Sequence, residues 1–212
     1  YLSALDQGVM TLVQEHRQPL LDEIAVTLTL IGEFRNMLLF SILLTVLLLL
    51  CRQWRQAIFA GSTLLVTALA NTGTKMFFAR VRPEVLTDPI TSYSMPSGHA
   101  SGAFALFLTL AVLAGRGQPP RMRLTWLLIG CIPALSIALS RVYLGAHWPT
   151  DIIAGAMLAA GVCAASLWLN QRQSPLPAMP FKVWWLILPA MVALFGFFVL
   201  RHLPHTLLRY AY

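Results

Sequence analysis

The sequence predicts an all-α protein, a polytopic membrane helical bundle with about six transmembrane helices and a short N-terminal interfacial helix. Three observations carry this expectation. Lys, Arg, Asp and Glu make up only 11% of the 212 residues, against about 25% in soluble domains. Hydrophobic residues reach 58% and mean hydropathy is +0.70. The apolar residues are gathered into six runs near the roughly 20 residues needed to cross about 30 Å of hydrocarbon. Together these exclude a disordered chain and most water-soluble globules. The net charge of +7 does not indicate nucleic acid, because the basic residues sit in short clusters between apolar runs, as topology signals do.

Taken in order, residues 1–36 form an N-terminal interfacial segment. Its apolar stretch 24–32 is too brief to cross and is flanked by Asp22, Glu23 and Glu33, which fits a helix lying at the interface. A transmembrane domain follows over 37–200, with spans at 37–51, 57–78, 98–114, 124–140, 151–169 and 183–200. The first is short and must borrow flanking residues. Residues 201–212 are a tail whose His202 and His205 read as interfacial rather than catalytic. Small residues at four-residue spacing, Gly98/Gly102 and Ala156/Ala160/Ala164, mark faces where helices can approach closely. Cys51, Cys131 and Cys163 lie in or beside the apolar runs without metal-ligand spacing and read as packing residues.

Alternate loops set the sidedness. Arg52, Arg55, Arg116, Arg121, Arg123, Arg172 and Lys182 occupy one side without any acid, which makes that side cytoplasmic. All eight acids, Asp6, Glu15, Asp22, Glu23, Glu33, Glu84, Asp88 and Asp151, fall on the other, with both chain ends. In a bacterium this is an inner-membrane protein whose outer face is periplasmic. The chain opens on Tyr1, so it is expected to be a piece of a longer protein.

Ionisable groups bordering hydrocarbon are costly and usually face a cavity or a partner. Three such places occur, all on the outer side. In KMFFARVRP, Lys75 and Arg82 are seven apart and share a face if the helix persists, while Pro83 favours an extended backbone at Arg82. Read alone, this is equally a snorkelling lysine and a loop arginine. In MPSGHA, Ser97 is placed to cap a helix and Gly98 bares backbone amides that attract anions. His99 sits in the first turn, where the positive helix end disfavours an added proton and suits exchange near neutrality. A plain polar cap is the other reading. In SRVYLGAHWPTD, His147 and Asp151 straddle a helix start at Pro149. The carboxylate can reach one imidazole nitrogen and leave the other free as base, nucleophile or metal ligand; a capping ion pair is the alternative. Arg141 adds a third cation. Guanidinium forks, a lysine and an amide nest suit a phosphate. Metal-assisted hydrolysis would want several carboxylates, and few are at hand, so no metal is expected.

On these residues the chain resembles the type 2 phosphatidic acid phosphatase superfamily. Its signatures are a Lys separated by six residues from Arg-Pro, then Pro-Ser-Gly-His, then Ser-Arg with His and Asp six and ten positions after the Arg. Here they read Lys75 with Arg82-Pro83, Pro96-Ser97-Gly98-His99, and Ser140-Arg141 with His147 and Asp151. The resemblance spans about residues 57–169. It implies a phosphatase working without metal or other cofactor, in which His147 attacks phosphorus, Asp151 orients it and His99 serves as acid and then base. It implies that Lys75, Arg82, Ser97, Gly98 and Arg141 hold the phosphoryl oxygens. Family members usually place a third span before the first signature, where two are counted here, so a fused or missing upstream membrane segment is expected.

Only 12 residues separate Pro83 from Pro96, leaving little protein to read a headgroup. Specificity is expected from lipid access within the bilayer. Undecaprenyl diphosphate, phosphatidylglycerol phosphate, phosphatidic acid and a lipid A phosphate are the substrates considered. Three rivals are a lipid phosphotransferase using the same site, a soluble vanadium haloperoxidase sharing the signatures, and a non-enzymatic lipid or anion transporter. The apolar spans count against the second.

Overall fold

The apolar runs of the sequence all become helices. The computed structural model describes residues 2–84 and 91–210; Tyr1, Asp88 and the His205 side chain lie outside the described residues. Among the described residues there are eight helices and no strand: α1 (Leu2–Glu15), α2 (Pro19–Gly32), α3 (Phe34–Leu50), α4 (Trp54–Phe78), α5 (Gly98–Gly115), α6 (Pro120–Tyr143), α7 (Pro149–Asn170) and α8 (Phe181–Tyr210). By length and composition α4 to α7 can each cross a membrane, as can Phe181–Leu203 of α8.

The short first span solves its length problem by joining α2. The two helices are bent by 53° at their junction and together pass as one broken span. Glu33 is the hinge, with an extended backbone (φ −57°, ψ 141°) that caps both helices. The Asn36 side chain donates to the Leu30 carbonyl at 2.6 Å, satisfying one acceptor that the broken helix sets free. This α2 is more deeply engaged than a helix lying on a surface, since Ala25, Val26, Thr29, Leu30 and Gly32 are buried and it packs on α6 and α8. A helix at 2–15, absent from the sequence reading, precedes it and rests on α6 and α7.

Helix α5 is the hub, touching α2, α3, α4, α6 and α7. Close approach to α7 is set by Gly155, where a Cβ would stand 2.7 Å from the Ser97 carbonyl oxygen and 3.1 Å from the Ser101 nitrogen. The small-residue stripe of α7 is therefore Gly155, Ala159 and Cys163, all buried, one position before the stripe expected at Ala156/Ala160/Ala164. Ala160 and Ala164 face outward. At one end of the bundle Arg55 donates to the carbonyls of Asn170, Ser174 and Pro175, and Arg116 to that of Leu176. Basic residues of the expected cytoplasmic loops thus meet there. The C-terminal ends of α4 and α6 and the N-terminal ends of α5 and α7 lie at the opposite end.

Candidate active site

Helix α4 stops before Arg82. Ala79 adopts the left-handed conformation (φ 44°, ψ 35°) and its N–H closes on the Lys75 carbonyl, so the helical face that would align Lys75 with Arg82 does not extend that far. The two cations converge by another route. Lys75 Nζ donates to the Tyr93 carbonyl at 2.6 Å, and Arg82 donates to the Ser92 carbonyl at 2.7 Å and the Tyr93 carbonyl at 3.3 Å. The segment Ser92–Tyr93 is the common anchor. Arg82 also donates to the Ala146 carbonyl at 2.7 Å and stands 3.0 Å from His147 Nε2.

That last contact decides the histidine's tautomer. A guanidinium has only donors, so Nε2 presents its lone pair to Arg82 and the proton resides on Nδ1. Nδ1 in turn faces Asp151 Oδ2 at 3.4 Å. His147 is 1% exposed and Asp151 fully buried. Burial first, then the charges of Arg141, Arg82 and Lys75, hold the His147 imidazole well below its usual range, which keeps the ring neutral. The local fold that makes this pair is a turn. Leu144, Gly145, Ala146 and His147 close α6 by bonding back to it, with Gly145 in the left-handed region (φ 71°). Pro149 then opens α7, and Asp151 accepts from the Trp148 backbone N–H at 2.9 Å, an N-terminal capping contact.

Ser97 caps α5, its hydroxyl accepting from the Ala100 N–H at 3.4 Å, and its own N–H donates to the Asp151 carbonyl at 3.0 Å. The N-terminus of α5 is thereby tied to that of α7. Gly98 and His99 open α5, and His99 Nε2 is buried with no hydrogen-bond partner among the described residues. Arg141 is 2% exposed and donates to Thr29 Oγ1 at 3.1 Å, which itself stands 3.0 Å from Ser140 Oγ. Thr29 brings α2 into the same cluster. Lys75, Arg82, Ser97, Gly98, His99, Arg141, His147 and Asp151 therefore gather at one end of the bundle, three cations and an amide terminus around two imidazoles. Among the described residues no three His, Cys, Asp or Glu side chains converge as a metal-binding group.

Sequence reasoning missed four contributors. Arg80 donates to Asp151 Oδ1 at 2.8 Å, Thr150 Oγ1 at 2.6 Å and Asp6 Oδ2 at 2.6 Å. Asp6 and Thr150 complete that network. Asn71, inside the apolar run of α4, donates to the Pro96 carbonyl at 3.4 Å and lies 3.6 Å from where a Gly98 Cβ would be. An amide in a membrane span, four residues before Lys75, is a signal that was available. Beside this end a cleft of about 320 Å³ runs between α3 and α4 over α5, lined mainly by apolar groups such as Met37, Ile42, Leu65 and Ala68 and reaching Asn71 and Gly98.

With this geometry in view, the sequence profile of the PAP2 superfamily matches residues 56–175, more than half of the chain. The chain belongs to the PAP2 superfamily. Among its relatives, an undecaprenyl-diphosphatase from Sulfolobus acidocaldarius is 41% identical over 95 residues, 42% of this chain and 40% of that protein. A phosphatidylglycerophosphatase B from Bacillus subtilis is 25% identical over 160 residues, 73% of this chain and 77% of the relative. The match thus spans well under half of the archaeal protein and about three quarters of the bacterial one. In fold, the chain superposes on the crystal structure of a transmembrane PAP2-type phosphatidylglycerolphosphate phosphatase from Bacillus subtilis with a TM-score of 0.70 at 23% identity, covering 81% of this chain and 87% of that one. Aquifex aeolicus LpxE gives a TM-score of 0.62 at 23% identity, covering 77% and 94%. This member of the PAP2 superfamily is a helical membrane protein of the same architecture.

Proposed function

We propose that this chain is a lipid phosphatase, hydrolysing a phosphomonoester or diphosphate of a membrane lipid through a phosphohistidine on His147. The single observation that carries the reading is the His147 ring, with Nδ1 toward Asp151 and the Nε2 lone pair toward Arg82 at 3.0 Å. A nucleophilic nitrogen directed at a guanidinium is placed to meet a phosphoryl group that the guanidinium holds. In the first step Nε2 attacks phosphorus, the bond from phosphorus to the lipid oxygen breaks, and His99 gives that oxygen its proton. In the second, water loses a proton to His99 and attacks phosphorus, and the phosphorus–nitrogen bond returns its electron pair to Nε2. Lys75, Arg82, Arg141 and the Ser97–Gly98 turn take up the charge on the nonbridging oxygens, and Asp151 stabilises the positive histidine.

The names of the relatives support a lipid phosphate, with a polyprenyl diphosphate such as undecaprenyl diphosphate, and a glycerophospholipid such as phosphatidylglycerol phosphate or phosphatidic acid, ranked together. The cleft between α3 and α4 supports access from within the bilayer. We place the site on the periplasmic side of a bacterial inner membrane, on the distribution of basic loops.

The test is phosphate release from a panel of purified lipid phosphates in detergent, with EDTA present and with His147→Ala as control. Release by the wild-type protein, inhibited by vanadate and lowered about 10³-fold or more in the variant, is expected. A stable His147→Ala protein that keeps most of its activity overturns the nucleophile assignment. Transfer to an added acceptor lipid without phosphate release would make the protein a phosphotransferase, and lipid flux without either product would make it a carrier.

A further inference from the structure

The residues assigned to phosphate chemistry leave one buried ionic network unused. Arg80 lies between two carboxylates that are 1% and 0% exposed, Asp6 of α1 and Asp151 of α7, at 2.6 Å and 2.8 Å. Its guanidinium also faces the Trp148 ring, with Cζ 5.6 Å from the centroid. Asp6 accepts in addition from the Thr150 N–H at 3.0 Å and the Thr150 hydroxyl at 2.6 Å. It therefore supplies an N-terminal cap to α7 from a helix more than 140 residues away in sequence. Burial alone would raise the Asp6 carboxyl, but the bonds from Arg80 and Thr150 outweigh it and hold the group below its usual range. Asp6 is thus held as an anion, and the Arg80 cation is shared between it and the Asp151 carboxyl.

Asp151 is the carboxylate that faces His147 Nδ1. One of its oxygens is committed to Arg80, the other takes the Trp148 N–H and faces the imidazole, and the Ser94 side chain also bonds the carboxyl. How much negative charge Asp151 offers the imidazole depends on how strongly Arg80 draws on it, and that depends on Asp6. We propose that Arg80 and Asp6 are positioning residues for the His147–Asp151 dyad, with Asp6 setting how much of the Arg80 charge reaches Asp151, so that α1 is part of the catalytic machinery. The proposal rests on the reading of His147 as nucleophile, but its electrostatic core concerns the resting protein and can be measured without turnover.

Every charged or titratable group facing His147 enters the test. These are Lys75 of α4, Arg80 and Arg82 of the segment after it, His99 of α5, Arg141 of α6, Asp151 of α7 and, through Arg80, Asp6 of α1. Arg80→Gln removes a cation and leaves the Asp151 charge undivided, so the titration midpoint of His147 rises, by roughly one pH unit for a close ionic partner. Asp6→Asn keeps an oxygen acceptor for Thr150 but returns the whole Arg80 charge to Asp151, so the midpoint falls. The double variant follows Arg80→Gln, because Asp6 acts through Arg80. Loss of packing alone would give no such opposed pair.

The measurement is a nitrogen-15 NMR titration of histidine-labelled full chain in detergent micelles, with the His147 resonance assigned through His147→Ala. Alongside it, kcat and KM are measured as a function of pH on dioleoyl phosphatidic acid. Arg80→Gln is expected to lower kcat about tenfold or more with KM within about twofold, since Arg80 does not hold the phosphate. Opposed midpoint shifts with that split establish the proposal. Midpoints that stay put, or move in one direction in both variants, overturn it even if all proteins are active. Absence of phosphate release by the wild-type protein, with opposed NMR shifts intact, overturns the phosphatase reading and leaves the Arg80–Asp6 coupling standing.

Discussion

Arg82 concentrates more of the site's geometry than any other side chain described. Its guanidinium donates to the Ser92 carbonyl and hydroxyl, the Tyr93 carbonyl and the Ala146 carbonyl, and faces His147 Nε2. An ammonium is a compact point charge whose three N–H donors leave from one atom, and it cannot span those acceptors. Each charge-assisted bond lost costs about 1.5–3 kcal/mol, so Arg82→Lys is expected to lower kcat/KM by about 100-fold with the protein still folded, as circular dichroism and phosphate release would record. The neighbouring imidazole makes a second prediction. His147 is held well below its ordinary range, so its neutral form, the nucleophile of the proposed reaction, survives as pH falls past the value of about 6.5 for a free histidine. The acid limb of kcat/KM for the free enzyme should therefore lie below that value, and a limb at or above it would mean that another group controls the rate. The same shift opposes stability in acid, since the unfolded chain takes up a proton there that the folded chain refuses. At this scale Lys75, Arg82, His99, Arg141, His147 and Asp151 stand out in the sequence because ionisable residues at the ends of apolar runs are conspicuous. Arg80 stands in the same KMFFARVRP stretch, but its role is hidden, because its partner Asp6 is 74 positions away and no local pattern joins them.

Among the elements, the α2–α3 bend does more than lengthen a span. Gly32, the last residue of α2, is pressed against the site: a Cβ there would stand 2.5 Å from Ile137 Cγ2 and 2.9 Å from His99 Cδ2. Only a residue without a side chain lets α2 sit against α5 and α6 at this point. Gly32→Ala is expected to cost about 1–3 kcal/mol through overpacking and to displace the His99 ring. Adding Ile137→Ala removes the tighter contact and should recover much of the melting temperature, while phosphate release stays low because the His99 contact remains. Recovery of both together would show that Gly32 serves packing alone. The helices themselves were legible, since each apolar run is long enough to declare itself. Their phases were not. Helix α7 is apolar on its buried and its outward faces alike, so hydropathy cannot tell the Gly155/Ala159/Cys163 stripe from its neighbour one residue on. The end of α4 was hidden too, because Ala79 carries no glycine-like signal for the left-handed turn it makes. Helix α1 was missed because a 14-residue helix with a buried Asp6 resembles neither a span nor a loop.

For the molecule as a whole, the proposed lipid phosphatase reading requires a route by which a lipid would reach a site at the end of the bundle. The cleft between α3 and α4 has a volume of about 320 Å³, walls of Met37, Ile42, Leu65 and Ala68, and ends at Asn71 and Gly98 beside the turn proposed to hold the phosphate. Phe34, Leu38, Ile42 and Leu65 along it are exposed at the protein's own surface, which in a membrane means exposed to acyl chains. Moving a chain from bilayer to cleft exchanges one apolar medium for another, so little binding energy comes from burial itself. On the proposed reading the cleft would supply direction: an acyl chain seated in it would point its headgroup at Gly98 and the cations. Obstruction should then act on productive placement, where an error of about 1 Å can cost around 100-fold. Ala68→Trp, which fills the cleft away from the charged residues, is expected to lower kcat/KM on dioleoyl phosphatidic acid about tenfold or more. A short-chain soluble analogue such as dibutyryl phosphatidic acid, which does not need the cleft, should keep its rate within about twofold. Equal losses on both substrates would place the fault in the site or the fold. Unchanged rates on both would mean that the lipid enters elsewhere, with the bend between α2 and α3 then the next wall to obstruct.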